Sequence, residues 1–183
     1  MRAVLFMCAL LPSFLRGTEE AYARTDAEVC EFKTLPSARL MVATTPEGYF
    51  GSNNQMFGKL FRYIQSNKIP MTAPVEAKVE PGAMYFYCDS ESAKRDDLKE
   101  TSEIAIQSVP ERTVAAIGIR GSYTQKSYQD NLTKLQDWLK TQLEYEAIGE
   151  PYAVYWNSPF VPGFLKRSEV HIPVRIKPVP LKR

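Results

Sequence analysis

Residues 56–75 gather side chains suited to holding a flat, amphipathic molecule. Met56, Phe57, Leu60, Phe61, Tyr63 and Ile64 recur at helical spacing over an arc wider than packing on one sheet needs. Lys59 and Arg62 fall at its rim. Methionine and aromatic side chains offer a polarisable surface to a ring, and a cation beside them pairs with an acid. Lys68-Ile69-Pro70-Met71-Thr72-Ala73-Pro74-Val75 follows directly. Its two prolines forbid a helix and remove two backbone donors, so it reads as an extended edge strand beside the helix, with Met71 adding to the apolar wall. Two readings stand together: a helix buried between sheet and loop, and a helix with one edge facing an apolar ligand that carries carboxylates.

Groups for conventional catalysis are sparse. His171 is the single histidine. It alternates with Val170, Ile172, Val174 and Ile176, which puts it on a strand face with Glu169 and Arg175. A satisfied or surface histidine is the expectation. Glu169 is expected to pair with Arg167 or Arg175, and acid–base work beside Tyr155 or Trp156 is the alternative. No serine or cysteine stands in a nucleophile motif, and no Gly-rich phosphate loop occurs. One histidine and no C-x-x-C argue against a zinc site.

The elements that must position these groups come in duplicate. Leu35-Pro36-Ser37-Ala38-Arg39-Leu40-Met41-Val42-Ala43 matches Val109-Pro110-Glu111-Arg112-Thr113-Val114-Ala115-Ala116-Ile117. The same offset pairs Tyr49 with Tyr123, and Phe61 and Ile64 with Leu135 and Trp138. Thr72-Ala73-Pro74-Val75 then matches Asn157-Ser158-Pro159-Phe160. Each half, about 27–89 and 103–176, reads strand, proline turn, strand, helix, extended proline segment, strand. Strands are expected at 28–34, 39–45, 69–75, 84–89, 103–109, 113–120, 152–157 and 169–176. Short turns between neighbouring strands imply antiparallel pairing. A second helix over 127–145 places Tyr128, Leu132, Leu135, Leu139 and Leu143 on one face, with Trp138 beside them. Ser52 and Gln55 form a capping box for the first helix. Residues 90–101 are charged and read as the linker between halves.

The 183 residues suffice for one domain with a sizeable core. A net charge of +2 gives no case for nucleic acid. Residues 1–23 read as a signal peptide: Arg2, the apolar run from Ala3 to Leu11, Pro12, and the A-x-A site Ala21-Tyr22-Ala23. The run is too short to span a bilayer, so no transmembrane anchor is expected after cleavage. The mature domain, 24–183, would then be exported, periplasmic or secreted; without a functioning leader it would be cytoplasmic. Cys30 and Cys88 remain in it, expected as buried free thiols, with a disulfide as the alternative.

Leu60-Phe61-Arg62-Tyr63-Ile64 followed by Lys68-Ile69-Pro70-Met71-Thr72-Ala73-Pro74-Val75 resembles the signature of the SOUL haem-binding family. So does Tyr155-Trp156-Asn157-Ser158-Pro159-Phe160-Val161-Pro162 followed by Leu165-Lys166-Arg167-Ser168-Glu169-Val170. The resemblance runs from about residue 27 to the C-terminus. It implies an α+β, pseudo-twofold duplicated domain: a distorted antiparallel β-barrel or sheet flanked by two α-helices, like GyrI-type effector-binding domains. It also implies non-enzymatic binding of haem or another tetrapyrrole in an apolar groove beside the first helix, for buffering or transport. Met56, Phe57, Leu60, Phe61 and Met71 would contact the ring, and Arg62 with Lys59 the propionates. Arg62 occupies a basic position of the family. Two others fall on Asn54 and near Val161, for which Lys59 or Lys166 would substitute. The N-terminal axial histidine of some members has no counterpart, so non-covalent haem would be held mainly by apolar contact, with His171 a weak candidate ligand. GyrI-like relatives include hydrolases. Hydrolysis of a small molecule using Glu169, or binding of another amphipathic ligand, therefore remain alternatives. A monomer is expected.

Overall fold

The structure is a computed structural model that describes residues 18–51 and 55–178. Ser52 of the expected capping box, Asn54 and residues 1–17 of the expected leader lie outside them. In chain order the strands and helices are β1 (Glu19–Glu20), β2 (Cys30–Leu35), β3 (Ala38–Thr44), α1 (Met56–Ser66), β4 (Thr72–Ala73), β5 (Val75–Lys78) and β6 (Ala83–Tyr87). There follow β7 (Ala105–Val109), β8 (Arg112–Arg120), α2 (Gln125–Lys140), β9 (Tyr145–Ala147), β10 (Tyr152–Tyr155) and β11 (Arg167–Ile176).

The main sheet runs β2-β8-β11-β10-β5-β6-β3-β7, antiparallel throughout, with β9 added beside the end of β11. Read outward from its middle, the order is the same on both sides. β10, β11, β8 and β2 mirror β5, β6, β3 and β7, so a pseudo-twofold axis passes between β10 and β5. The strand-turn-strand and helix parts of the duplication visible in the sequence are thus the symmetry of the sheet, but its last match is not. Residues 72–75 lead into β5, whereas residues 157–160 follow β10, and the axis relates Pro74 to Pro151 instead.

Two expectations about pairing fail. β2 and β3, joined by Pro36-Ser37, do not pair, and neither do β7 and β8, joined by Pro110-Glu111. Instead β2 pairs with β8 from Cys30↔Ile117 to Leu35↔Arg112, and β7 pairs with β3 from Ala38↔Val109 to Val42↔Ala105. Two-residue hairpin loops need positive φ and favour Asn or Gly, whereas proline holds φ near −65°. The chain therefore cannot fold back, and the first strand of each half crosses to the other. Of the edge strand expected over 69–75 only β4 forms, pairing in parallel with β1, and the chain then enters β5, an interior strand between β10 and β6 that the pattern did not separate from it. Pro70 and Pro74 fall outside β5, so no proline interrupts its two ladders.

Both helices cover one face of the sheet. α1 packs Met56, Leu60, Tyr63 and Ile64 onto Met41, Ala43, Met84 and Phe86. α2 packs Tyr128 and Leu135 onto Ala115, Ile117, Val170 and Ile172. Thr124 Oγ1 caps α2 by accepting the Ser127 N–H at 3.1 Å. The helix stops at Lys140, so Leu143 is 78% exposed rather than on its apolar face. Tyr145 instead opens β9 and stacks on Phe32 with centroids 3.7 Å apart. Cys30 and Cys88 are free thiols that border different core clusters; burial raises the pKa of both.

Residues 19–29 form a strap over the other face of the sheet. Ala21 N–H donates to Ala73 O at 2.8 Å and Glu28 N–H to Gly118 O at 2.8 Å. The contact at Gly118 is close: a Cβ there would sit 2.1 Å from Asp26 O and 2.6 Å from Thr25 O. Since the obstruction is backbone, a side chain must lift the strap. Gly118→Ala is expected to cost on the order of 1–3 kcal/mol, read as a lower urea midpoint, whereas an unchanged midpoint would show that the strap contributes nothing to stability.

Candidate functional site

The outer face of α1 is split by burial. Met56 and Leu60 are 1% and 0% exposed and face the sheet, so they offer no surface to a ligand outside the helix. Phe57 and Phe61 lie one turn apart with rings stacked, centroids 5.9 Å apart and planes at 11°. Phe57 leans on Phe86 edge-on at 5.4 Å, while Phe61 is 42% exposed. Met71 is partly buried against the same cluster. Of the five ring contacts expected, the structure leaves Phe57, Phe61 and Met71 on an accessible side.

The cations expected there are in place. Lys59 Nζ and Arg62 Nη2 share one carboxylate, Glu103, at 3.4 and 3.8 Å. A cleft of about 560 Å³ runs beside them, between Tyr63 on the helix, Asn67 just past its end, and Lys99 on the linker. Tyr63 O–H donates to Lys99 O at 2.8 Å and fixes that wall. Gly58 sits between the ring pair and the cations. Its missing Cβ would meet only Arg62 Nη1, at 3.6 Å. Nothing in the packing requires glycine in this helical turn, where it costs about 1 kcal/mol relative to alanine. Its effect is a bare strip of backbone on which a flat molecule can lie.

A second constellation occupies the face under the strap. Glu169 is 1% exposed and both its oxygens are saturated. Oε1 accepts the Thr25 backbone N–H and Trp156 Nε1–H, both at 2.8 Å. Oε2 meets His171 Nε2 at 2.6 Å, Lys33 Nζ at 3.0 Å and Thr25 Oγ1 at 3.0 Å. The expected partners Arg167 and Arg175 are not used; Arg175 bonds Glu146 at 2.6 Å instead. His171 is 0% exposed, and its Nδ1 meets the Tyr152 hydroxyl at 3.2 Å. Both ring nitrogens are therefore occupied, and the weak candidacy of His171 as a haem ligand lapses.

Burial alone would raise the pKa of Glu169. Hydrogen bonding and charge from His171, then Lys33 and the Thr25 N–H, overcome it and hold the carboxyl at about 2. The cluster continues through Arg112, whose Nη2–H donates to Glu76 Oε1 at 2.8 Å and to Tyr87 Oη at 2.9 Å. Tyr22 of the strap lies over it, edge-on to Trp156 at 5.5 Å and to Tyr87 at 5.8 Å, and its hydroxyl donates to Glu76 at 3.3 Å. Thr25, Lys33, Glu76, Arg112 and Tyr22 carried no recognisable motif; the one signal was polar residues alternating with apolar ones on β2, β5 and β11. Among the described residues no cluster could hold a metal ion.

A curled antiparallel half-barrel with two helices on one face is the GyrI-like α+β fold. The chain matches the family model described as SOUL heme-binding protein over residues 19–173, and it belongs to that family. No curated protein matches it significantly. Among solved structures it is similar to EcmrR in an EcmrR–DNA complex, with a TM-score of 0.64 and 16% identity over 81% of this chain. The chain spans 58% of the length of that EcmrR chain. The isolated EcmrR C-terminal domain gives a TM-score of 0.60 at 16% identity, covering 81% of this chain and 98% of that one. A hydrolase from Listeria innocua gives 0.57 at 10% identity, covering 84% and 94%. At these identities the likeness is one of fold alone.

The depressed pKa of Glu169 sets an acid limit. The ionised form is favoured by folding, so its contribution is complete above an unfolded pKa of about 4.5 and is lost as pH falls toward about 2. The full shift corresponds to about 3 kcal/mol. Urea unfolding between about pH 6 and pH 3 should show a falling midpoint in the native protein and a flatter one in Glu169→Gln. Parallel curves would assign the acid sensitivity to other groups.

Proposed function

We propose that this protein binds haem or another tetrapyrrole, non-covalently and without catalysis, on the outer face of α1, and so buffers or carries it. The observation that carries the reading is the ring pair of exposed Phe61 on half-buried Phe57, bordered by Gly58 and by Lys59 and Arg62. Family membership points to haem, and the surface has the parts a tetrapyrrole needs. The ring would stack on Phe61 and Phe57 and reach Met71. Propionates would take Lys59 and Arg62 from Glu103, which is half exposed and held only by weak surface pairs. With His171 engaged inside the sheet, binding would rest on apolar contact and these two cations.

The hydrolase alternative has less support. A general base works best with a pKa near the operating pH and a free lone pair. Glu169 is held at a pKa of about 2, with five hydrogen bonds from four residues and the strap above it. Its chemistry is that of a fixed anion.

Hemin titration tests the proposal. A saturable Soret shift is expected, weakened about tenfold or more by Arg62→Glu. Gly58→Leu should block binding without lowering the urea midpoint, since a Cβ at this position meets only Arg62 Nη1. A shift no larger than that given by an unrelated protein would overturn it.

Export belongs to the same proposal, with one adjustment. The A-x-A site at Ala21-Tyr22-Ala23 lies within the packed strap, and cleavage after Ala23 would remove Tyr22 from its contacts with Trp156 and Tyr87. Processing is therefore proposed upstream of Glu19. Mass spectrometry of the exported chain should find a terminus at or before Glu19; a folded product beginning at Arg24 would contradict this.

A further inference from the structure

The loop between β10 and β11 exposes apolar surface that the fold does not use. Phe160 is 96% exposed, Phe164 70% and Leu165 48%. Of the other large exposed apolar residues, Phe61 lies on α1, Val29 precedes β2, and Leu143, Ile148 and Ile176 flank β9 and the end of β11. The loop is braced. Val161 N–H donates to Ser158 O at 3.1 Å and Leu165 N–H to Pro162 O at 2.9 Å. Asn157 Oδ1 accepts the Arg167 N–H at 2.6 Å, and Lys166 Nζ–H donates to Pro159 O at 3.2 Å. The phenylalanines are thus held outward by a turn that has its own hydrogen bonds.

Beside this tip lies a cleft of about 520 Å³ lined by Arg120, Arg167, Lys134, Asn131 and Ser127, with Glu28 its single acid. Arg120 Nε–H donates to Phe164 O at 3.3 Å, which joins cleft and loop. Arg120 and Arg167 are direct cross-strand partners in the β8–β11 ladder. Like charges placed opposite each other are unfavourable unless something neutralises them, and among the described residues neither arginine forms an ion pair.

We propose that this end of the molecule docks on an anionic phospholipid membrane. Phe160, Phe164 and Leu165 enter the headgroup–acyl boundary, and Arg120, Arg167 and Lys134 meet lipid phosphates. The charge of the surface selects this occupant. Rings projecting from a turn and bordered by cations complement an apolar layer under a negative surface. The surface is small, so docking is reversible and loses strength with salt. The inference rests on different residues from the tetrapyrrole surface, and either can fail without the other.

Flotation of the full chain with phosphatidylcholine vesicles, with and without phosphatidylglycerol, tests it. Binding is expected only when phosphatidylglycerol is present, and it should fall as salt rises. Arg120→Gln and Arg167→Gln should each weaken it about fivefold. Phe160→Ser with Phe164→Ser should reduce it to the phosphatidylcholine background at an unchanged urea midpoint. Absence of binding by the native chain, or equal binding to neutral vesicles, would overturn the proposal. Undiminished binding by the phenylalanine variant would do the same, as would a concentration-dependent dimer, lost in that variant, in place of vesicle binding.

Discussion

A carboxylate buried in the middle of the sheet governs this architecture. Glu169 is ionised in a region from which water is excluded, so every lone pair must be met or the cost runs to several kcal/mol. Its partners come from four stretches of chain: Thr25 in the strap, Lys33 in β2, Trp156 after β10 and His171 in β11. Each is held in place because a charge would otherwise be orphaned. The strap, the exchanged first strand and the loop end after β10 are all tied to one atom pair.

The two faces of the sheet divide the work. The helix face repeats itself, with a helix laid on each half and a similar apolar core under each. The strap face does not repeat. It carries Glu169 and His171 on one side of the pseudo-twofold axis and Glu76 with Tyr87 on the other, bridged by Tyr22 and Arg112. Duplication supplied the frame, and the polar network made the halves unequal. The same inequality shows on the helices. The sequence offset pairs Phe61 with Leu135, yet Leu135 is buried like Leu60 while Phe61 faces outward. The repeat register therefore slips by one residue before α1, and an apolar residue appears on the surface as a result.

This explains which parts of the molecule were legible in the sequence. Most strand positions, both helices and the first part of the duplication follow from local period and proline placement, whereas β5, the short β9 and the early stop of α2 at Lys140 were not readable that way. The rim cations Lys59 and Arg62 were readable too, because helical spacing alone places them. The strand exchange was not, since pairing partners are chosen by the whole sheet and the prolines only say what the turn cannot be. The Glu169 network was hidden for a similar reason: Thr25 and Lys33 lie more than a hundred residues from it in sequence. Met56 and Leu60 were placed in the right helix, but a wide apolar arc does not reveal which of its edges meets the sheet.

The crossing of β2 and β7 has a consequence for how the chain acquires its structure. Neither half can complete its own sheet, because each lacks the strand that the other must lend. Contacts that close the fold join residues far apart in sequence, which slows folding and makes it cooperative. A nascent chain that has emerged only as far as β6 has no partner for β2 and leaves the outer sides of β3 and β5 open, so it exposes both edges of a three-stranded sheet and one wholly unpaired strand. The domain then behaves as a single knit unit in time as well as in space. It cannot be divided at its own internal repeat, even though the sequence at that point looks like a seam.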